Sequence, residues 1–548
     1  MLRRPDLDHS DSVYPREYRF PVACNRYESP FHLMPVSAMA SPRSNETPCC
    51  SLPAMADREE ELEQQRIAKI DALRAAGVDP YPVRFDRTHT AALIHASYDG
   101  IEPGAGTGDE VSVAGRLMLN RDQGKLSFAV LQDGTGRIQL MVDRGAIGDE
   151  EYARFQDLDL GDWVGARGEV VKTKRGEVSV KIASFALLAK SIRPLPEKWH
   201  GLSNVELRYR QRYLDLLTNP EAVRILEVRA RAVTATRRFL MDRGFIEVET
   251  PMLQTTPGGA LAKPFVTHMN ALDIDLYLRI APELYLKRLI IGGLERVFEI
   301  NRNFRNEGIS VKYNPEFTML EAYQAFADYH DMMDLLEQMI GHVARDVLGT
   351  TEHTYQGKPM PLGAPFPRRR LIDLASEAIG ETLDLDMPVD QARKVAEAHD
   401  VPVDPAWSVG KIVVEIYERH VEPNLFAPTF VCDFPRETSP LARPHRNDPR
   451  FTEHFDLVIA GMEVGPAYSE LTDPIDQRER FASQAKARAA GDEEAMVIDE
   501  DFLKALEYGM PPTGGLGFGI DRFAMILADA PSIREVILFP LLRPEAQD

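Results

Sequence analysis

The chain has 548 residues, which is too long for one ordinary hydrophobic core and favours about three domains. Its 85 acidic and 64 basic residues give a formal net charge of -21, which excludes a body that attracts nucleic acid over its whole surface. An RNA-binding surface must therefore be a local basic patch. Only one of the four cysteines, Cys432, lies beyond the first fifty residues. This usage excludes a disulfide framework in the body of the protein and predicts a reducing, cytoplasmic location. No uninterrupted apolar stretch is long enough to predict a membrane span.

Residues 1–56 differ in composition from the rest. They are rich in Pro, Ser and Arg and have no periodic apolar face, so we predict a disordered tail. The abrupt change also suggests the hypothesis that translation begins at Met55. From Asp57 the pattern is helical, with an acidic first turn and Gly77 as the predicted stop. Residues 57–108 are therefore assigned to an N-terminal helix and a connector.

Residues 109–190 contain five strand-like runs, with a helical segment after the third. This arrangement predicts a five-stranded OB-fold β-barrel, whose second and third strands can bind single-stranded nucleic acid. Phe128 lies on the second run and Gln139 on the third. An aromatic ring can stack on an unpaired base and an amide can read a base edge, although Phe128 taken alone is more typical of a core residue. Arg116, on the first run, is a weaker candidate for the same surface.

Residues 191–206 contain two prolines and read as a linker, and the remaining chain, 207–548, mixes helices and strands. A long amphipathic helix is predicted over 221–243, and GFIEVETPML after it predicts a strand that Pro251 stops. A second helix opens near Glu283. A helical insertion is expected at about 328–427. The fold class is therefore α+β, with a barrel domain before a larger domain.

Two alternating runs, 297–303 and 316–323, predict a long antiparallel hairpin with a charged loop. Further along, Asp456, Glu463 and Glu470 recur every seven residues on two strand-like runs, so their carboxylates can reach one site. Carboxylates clustered inside a protein are unfavourable unless a cation joins them. The pattern predicts a site for a cation or a cationic substrate, while a solvated hairpin tip and surface acids are the simpler alternatives.

Three motifs carry a family resemblance. FRNEG, NPEF and TMLEAY in the hairpin resemble the second signature motif of class II aminoacyl-tRNA synthetases, in the form found in lysyl-tRNA synthetases. GFIEVETPML resembles their first motif and GGLGFGIDRFAMIL their third. The resemblance covers about residues 57–545. It implies a class II antiparallel-sheet catalytic domain, an OB-fold anticodon-binding domain and a homodimer that meets at the first motif.

The resemblance also implies roles for single residues. Arg305 and Arg522 would be catalytic. The implied ATP-binding residues are Arg305, Glu307, Asn314, Phe317 and Arg522. The implied lysine-binding residues are Gly259, Glu283, Glu321, Tyr323, Tyr468 and Glu470, with Glu470 on the side-chain ammonium and Tyr323 assisting it. The implied magnesium ligands are Asp456 and Glu463. The implied anticodon-binding residues are Arg116, Phe128 and Gln139. Pro466 departs from the family pattern, because many members have Asn near the substrate carboxylate.

These features predict an ATP- and magnesium-dependent ligase that forms lysyl-adenylate and transfers lysine to the 3′ end of a lysine tRNA. One rival is a relative that lysylates elongation factor P, but such relatives usually lack a unit like 109–190. Aspartyl- and asparaginyl-tRNA synthetases are rivals in specificity only. A catalytically silent RNA-binding protein on the same fold is disfavoured because Arg305, Asp456, Glu463 and Arg522 are all present.

Overall fold

A computed structural model describes residues 55–196 and 204–545 of the chain. The predicted tail lies outside these ranges except for residues 55 and 56, which already belong to the first helix, and part of the predicted linker also lies outside them. The chain divides into two compact units, one ending at Pro194 and the other beginning at Leu195. Among the described residues, no helix has the length and apolar character needed to cross a membrane.

The first unit is a barrel with accessory helices. Its elements are α1 Met55–Ala75, α2 Ala91–Tyr98, β1 Gly106–Asp122, β2 Leu126–Asp133, β3 Gly136–Asp143, α3 Arg144–Ile147, α4 Asp149–Gln156, β4 Trp163–Lys172 and β5 Val178–Ala189. The strands close into a barrel in the order β1-β2-β3-β5-β4, so the predicted five-stranded barrel is confirmed. Helix α1 ends just before Gly77, whose φ of 75° favours glycine at this stop.

Alternation along the barrel strands decides which side chains fill its core. Ala129 and Leu131 of β2 are buried together with Ile138 and Leu140 of β3. Side chains alternate between the two faces of a strand, so the intervening positions face outward. The barrel core therefore does not need the candidate RNA-binding residues of these two strands.

The second unit contains the rest of the described chain. Its elements up to the central hairpin are α5 Val205–Arg210, α6 Arg212–Thr218, α7 Pro220–Met241, β6 Ile246–Glu247, β7 Leu253–Gln254, β8 Val266–Met269, β9 Ile274–Leu278, α8 Glu283–Ile291, β10 Arg296–Phe304 and β11 Glu316–Ala325. The later elements are α9 Tyr329–Leu348, β12 Glu352–Tyr355, β13 Lys358–Pro361, β14 Arg368–Arg370, α10 Leu371–Ile379, α11 Val389–Ala398, α12 Val409–His420, β15 Thr429–Cys432, β16 His454–Ile459, β17 Met462–Ser469, α13 Pro474–Ala489, α14 Glu500–Glu507, β18 Thr513–Phe518, α15 Ile520–Ala528 and α16 Ile533–Val536.

An eight-stranded sheet organises this unit, in the order β14-β15-β16-β17-β18-β11-β10-β6. All neighbours are antiparallel except the edge pairs β14–β15 and β10–β6. Helices α7, α9 and α15 pack on the sheet around the fully buried Phe298, Leu320 and Phe518. Burial of each such side chain contributes about 1.5–3 kcal/mol relative to exposure. The resulting rigid platform leaves the opposite face of the central strands free for a site.

Two sequence predictions need correction here. The predicted strand through GFIEVETPML is broken: only Ile246–Glu247 pairs with β10, and Leu253–Gln254 joins a separate small sheet with β9. Pro251 has no N–H to continue a ladder, so the chain leaves the main sheet before it. The predicted helical insertion also holds strands, because β12 and β13 form a hairpin and β14 extends the main sheet.

Candidate active site

The predicted hairpin forms and provides the floor of the site. Strands β10 and β11 pair in continuous register from Arg296 opposite Gln324 to Phe304 opposite Glu316. Since side chains alternate along β11, Phe317, Glu321 and Tyr323 lie on one face of the sheet. Two neighbouring cavities open on this face, and Arg305 borders both of them.

The first cavity, which we call the acid pocket, has a volume of about 280 Å³. The predicted site residues among its lining are Gly259, Glu283, Arg305, Glu321, Tyr323, Asp456, Glu463 and Tyr468. The second cavity, which we call the arginine cleft, has a volume of about 220 Å³. The predicted site residues among its lining are Arg305, Glu307, Asn314, Phe317, Glu463 and Arg522. The structure therefore brings the separate catalytic-domain motifs together. Pro466 also borders both cavities.

The two arginines are held in place but are not neutralised. Arg305 follows β10, its backbone N–H donates to the Pro315 carbonyl at 2.9 Å, and its guanidinium carbon lies 5.2 Å from the centre of the Phe317 ring. The guanidinium of Arg305 forms no ion pair with any described residue, and its buried Nε has no hydrogen-bond partner there. Arg522 donates to the backbone carbonyl of Glu463 and lies 5.1 Å from the Tyr313 ring centre. Both cations remain available to an anionic ligand.

A buried carboxylate fixes the helix that carries Arg522. Asp521 accepts a hydrogen bond from the backbone N–H of Thr318 at 2.7 Å and another from the Arg229 guanidinium at 2.7 Å. These bonds tie the start of α15 to β11 and to α7. The third motif is thereby locked against the second, which sets the position of Arg522 beside the cleft.

Asp456 and Glu463 reach the same cavity because of a β-bulge. In the β16–β17 pair, Asp456 lies opposite Pro466 and Val458 lies opposite Glu463, with the register shift between them. The extra residue on β17 turns Glu463 and Pro466 to the same side. Burial and the charge of Asp456 raise the pKa of Glu463, and the two arginines oppose this. Within the described residues, no group of three or more His, Cys, Asp or Glu side chains has the geometry of a metal site.

Glu283 opens α8 and is fully engaged. One oxygen accepts from the Lys287 ammonium at 2.6 Å and the other from the Tyr468 hydroxyl at 2.8 Å. Gly259 packs against it with a φ of 86°, and a Cβ there would lie 3.0 Å from the Cβ of Glu283. The glycine thus allows the loop after β7 to close over the start of α8.

Glu470 and Tyr323 differ from the expected arrangement. Glu470 is 1% exposed, does not line the acid pocket and forms an ion pair with Lys287 instead. The Tyr323 hydroxyl donates to Glu321 at 3.1 Å rather than to Glu470. Both side chains pack on Gly515 of β18, where a Cβ would lie 2.5 Å from the Tyr323 ring. The Tyr323 hydroxyl therefore bonds to Glu321, while its ring and the Glu470 carboxyl lie on the same glycine.

Burial dominates the electrostatics of this cluster. Burial and the neighbouring Glu283 raise the pKa of Glu321 well above its usual value. Burial and Glu283 also raise the pKa values of Tyr323 and Tyr468, so both hydroxyls remain hydrogen-bond donors. Closely spaced carboxylates in a dry site favour protonated forms until a cation arrives.

Sequence reasoning missed two residues. Lys287 resembles an ordinary helix-surface partner of Glu283 four residues earlier, yet it is fully buried. His454 lies beside Asp456, with one ring nitrogen 3.2 Å from the Asp456 carboxylate and the other 2.9 Å from the Ser439 hydroxyl. Its ring stacks on Phe434 with centres 4.1 Å apart. The i, i+4 spacing of Glu283 and Lys287 indicated an ion pair but not its burial. Nothing in the sequence indicated that His454 contacts Asp456.

The anticodon candidates lie on the outer face of the barrel. Phe128 pairs with Met141 across β2 and β3, and Gln139 pairs with Val130 two positions away, so Phe128 and Gln139 are diagonal neighbours. The Gln139 carbonyl oxygen accepts from the Ser179 hydroxyl at 2.9 Å. Arg116 donates to the Gly161 carbonyl at 2.8 Å and lies 5.0 Å from the Trp163 ring centre.

Comparison with known proteins agrees with these two units. A family model described as class II tRNA synthetases (D, K and N) matches residues 204–543, and one described as an OB-fold nucleic acid binding domain matches residues 111–188. A lysine–tRNA ligase of Moorella thermoacetica is 53% identical over 491 residues, covering 90% of this chain and 99% of the relative. Lysine–tRNA ligases of Enterococcus faecalis and Bacillus subtilis are 52% and 50% identical over 489 residues, covering 88% of this chain and 98% of each relative. The chain therefore belongs to the class II tRNA synthetase family, within its D, K and N group.

Proposed function

We propose that the protein is a lysine–tRNA ligase, which activates L-lysine with ATP to lysyl-adenylate and then transfers lysine to the 3′ end of a lysine tRNA. The observation that carries the proposal is a pocket lined by four acidic side chains, two of them buried, that adjoins a cleft whose two arginines form no ion pair with any described residue. An amino acid with two ammonium groups fits the pocket, and a nucleoside triphosphate fits the cleft. Similarity to lysine–tRNA ligases supports the same assignment.

Adenylate formation is an in-line attack of the lysine carboxylate on the α-phosphorus of ATP, with pyrophosphate as the leaving group. Such a step needs positioning and charge stabilisation more than an acid or a base. Arg305 borders both cavities, so its guanidinium would contact the carboxylate and the α-phosphate together. Arg522 would hold the γ-phosphate. Phe317 would stack on adenine, with Glu307 and Asn314 at the polar edges of the base.

Asp456 and Glu463 would hold Mg²⁺, which neutralises phosphate charge when bound. Mg²⁺ commonly uses one or two carboxylates together with substrate phosphates, so two acids suffice here. The raised pKa of Glu463 beside Asp456 supports the fit, because a divalent cation relieves the repulsion that raises it. His454 would orient Asp456 through their 3.2 Å contact.

The substrate lysine would lie in the acid pocket. Glu283 and Glu321 would surround its α-ammonium, and Glu470 would receive its side-chain ammonium. Tyr323 and Tyr468 would line the hydrocarbon part, and Gly259 would close the loop over it. Pro466, which lacks an amide donor, leaves Arg305 as the main partner of the substrate carboxylate.

The barrel would bind the anticodon of the tRNA. Phe128 faces outward although it is aromatic, which supports stacking on an unpaired base. Gln139 would read a base edge with its amide N–H, since its carbonyl oxygen already accepts from Ser179. Arg116, on the neighbouring strand β1, would contact the RNA backbone. The low cysteine content after residue 50 is consistent with a cytoplasmic location.

We propose a homodimer formed through the first-motif region. Large apolar side chains there are exposed in the single chain, including Ile246 at 51%, Leu253 at 50% and Val266 at 60%. Exposed large apolar side chains on neighbouring stretches of the chain favour an interface. Analytical ultracentrifugation of the purified protein should give twice the chain mass, and a monomer at micromolar concentration would contradict the assignment.

ATP–pyrophosphate exchange with each of the twenty amino acids tests the function. We expect exchange with lysine and little with aspartate or asparagine, followed by charging of a lysine tRNA. Absence of exchange with lysine overturns the proposal. Exchange with lysine but no charging of any tRNA would instead favour the relative that modifies a protein.

A further inference from the structure

Lys287 is a fully buried cation that the proposed reaction does not yet use. It lies one turn after Glu283 on α8, its ammonium contacts a Glu283 oxygen at 2.6 Å, and it forms an ion pair with Glu470. Its ammonium is also 5.6 Å from the Tyr468 ring centre. A buried ammonium is unfavourable unless several groups compensate it, so this placement calls for an explanation.

The partners of Lys287 are not equally satisfied. Glu283 has both carboxylate oxygens paired, one with Lys287 and one with the Tyr468 hydroxyl. No described residue donates a hydrogen bond to Oε1 of Glu470, and the absent side chain of Gly515 leaves room beside that atom, because a Cβ there would overlap it. Glu470 is thus a buried carboxyl with one free acceptor in contact with a fixed cation.

The groups around Glu470 oppose each other. Burial raises the pKa of Glu470 to about 8, Glu283 adds to the rise, and Lys287 is the neighbour that lowers it. Tyr323 and Tyr468 stay neutral because their own pKa values are raised. Glu321 accepts a hydrogen bond from the Tyr323 hydroxyl. Without the Lys287 ammonium, nothing in this cluster would favour the carboxylate form of Glu470 before substrate arrives.

A charge count gives the same answer for the occupied site. Glu283, Glu321 and Glu470 supply three carboxylates and Lys287 supplies one ammonium, which leaves two negative charges. Free lysine has two ammonium groups, and its carboxylate faces Arg305 in the proposed pose. An amino acid with a neutral side chain gives the Glu470 carboxylate no partner, so Glu470 keeps its proton and the ion pair with the substrate does not form.

We propose that Lys287 determines substrate specificity indirectly: its ammonium makes the anionic form of Glu470 accessible inside the buried cluster, so that the site requires a cationic side chain. Lys287 is a positioning residue, since it touches Glu470 and Glu283 rather than the reacting atoms. The inference rests on the proposed lysine activation and adds the reason for its selectivity.

Steady-state ATP–pyrophosphate exchange of the wild type, Lys287→Met, Glu470→Gln and the double variant tests the inference. Lys287→Met should raise the KM for lysine about tenfold or more, since each pKa unit is a factor of ten, while the KM for ATP and kcat stay within about threefold. In the Glu470→Gln background, the same change should lower the KM for lysine, because it removes a cation that now repels the substrate. A purely structural ion pair predicts no such reversal.

Norleucine, which has a neutral side chain of similar length, provides a second readout. Lys287→Met should reduce the ratio of kcat/KM for lysine to that for norleucine by about tenfold, because a protonated Glu470 tolerates a neutral side chain. A matched control is Lys190→Met in the barrel, which removes another buried lysine bound to two carboxylates. It should leave the KM for lysine and the lysine-to-norleucine ratio of kcat/KM unchanged.

The outcomes separate the two proposals. A wild-type enzyme without lysine exchange overturns the proposed function. A wild type that activates lysine, with Lys287→Met raising the KM in both backgrounds or changing neither KM nor selectivity, overturns only the role of Lys287. If circular dichroism shows that Lys287→Met alone does not fold, Glu470→Gln against the double variant decides the question: a lower KM in the double variant supports the role, and an equal or higher one overturns it.

Discussion

Two buried lysines, Lys190 of the barrel and Lys287 of the synthetase unit, have similar surroundings but differ in one respect. Each ammonium lies between two carboxylates. Around Lys190, the Asp162 oxygens also accept from the backbone N–H groups of Ser191 and Asp159 at 2.8 and 2.9 Å. Burial alone would raise the pKa of Asp159, but Lys190 and Lys69 lower it below its usual value. This network is closed, and it stabilises the barrel unit.

The cluster around Lys287 is open. Glu470 keeps a free oxygen, and its pKa is raised to about 8 by burial in spite of the neighbouring ammonium. The adjoining acid pocket lets a further cation approach. The comparison teaches that burial of an ion pair alone is no reason to propose a functional site, whereas an unsatisfied acceptor beside a cavity is one.

The largest expected effect concerns Arg305, which lines the acid pocket next to the Lys287 cluster. Arg305→Ala should lower kcat/KM in ATP–pyrophosphate exchange by about a thousandfold, because it removes a preorganised cation from the developing phosphate charge. Arg302→Ala is the matched control, since Arg302 lies three residues before Arg305, on β10, but pairs with Glu316 at 3.7 Å. A loss of similar size in both variants would show that the strand, rather than the Arg305 guanidinium, matters.

The second effect compares the stability of the two clusters. Lys190→Met should destabilise the barrel by about 3–5 kcal/mol, because it leaves buried carboxylates without their cation. Lys287→Met should destabilise the synthetase unit less, because Glu470 can take a proton at neutral pH. Hydrogen exchange of amides within each unit measures both free energies of unfolding. A larger loss for Lys287→Met would make its cluster the structural one and reverse the comparison.

A third prediction concerns the surface of the barrel. Phe128→Ala should lower kcat/KM for tRNA charging about tenfold, since stacking on a base contributes about 1–3 kcal/mol. Lysine-dependent exchange without tRNA should stay unchanged and serves as the internal control. An equal loss in both assays would argue against anticodon binding by this face.

The smallest expected effect concerns the metal. Asp456→Asn should raise the Mg²⁺ concentration for half-maximal exchange several-fold, because an amide oxygen carries no charge for a hard cation. A magnesium titration at fixed ATP measures it. An unchanged titration curve would place the metal elsewhere.

Much of this architecture follows from local pattern. Period-two alternation predicted 297–303 and 316–323 as a hairpin, and the structure extends it only slightly, to Arg296–Phe304 and Glu316–Ala325. The five barrel runs were equally readable, since each has a buried and an outward face of its own. Period-two alternation therefore assigns polar strand residues to a face from the sequence alone.

The partners within the site could not be read in this way. Lys287 of α8 and Glu470, which follows β17, meet only in the folded chain, and no local period reports that contact. The bulge that turns Glu463 toward Asp456 depends on the pairing register, which the spacing of seven residues did not reveal. The predicted length of the first-motif strand was too great, because the alternation of its side chains does not show where the chain leaves the sheet.

Calorimetry of lysine binding tests the central claim, that buried acids receive the ammonium groups of lysine, most directly. Burial and Glu283 raise the pKa of Glu470 to about 8 in spite of Lys287. At pH 7 the empty pocket therefore holds a proton that the substrate ammonium displaces. Titrations in buffers of different ionisation enthalpy should report proton release on binding, and lysine affinity should rise with pH until about pH 8. Lysine binding without proton release, or with proton uptake, would contradict the account.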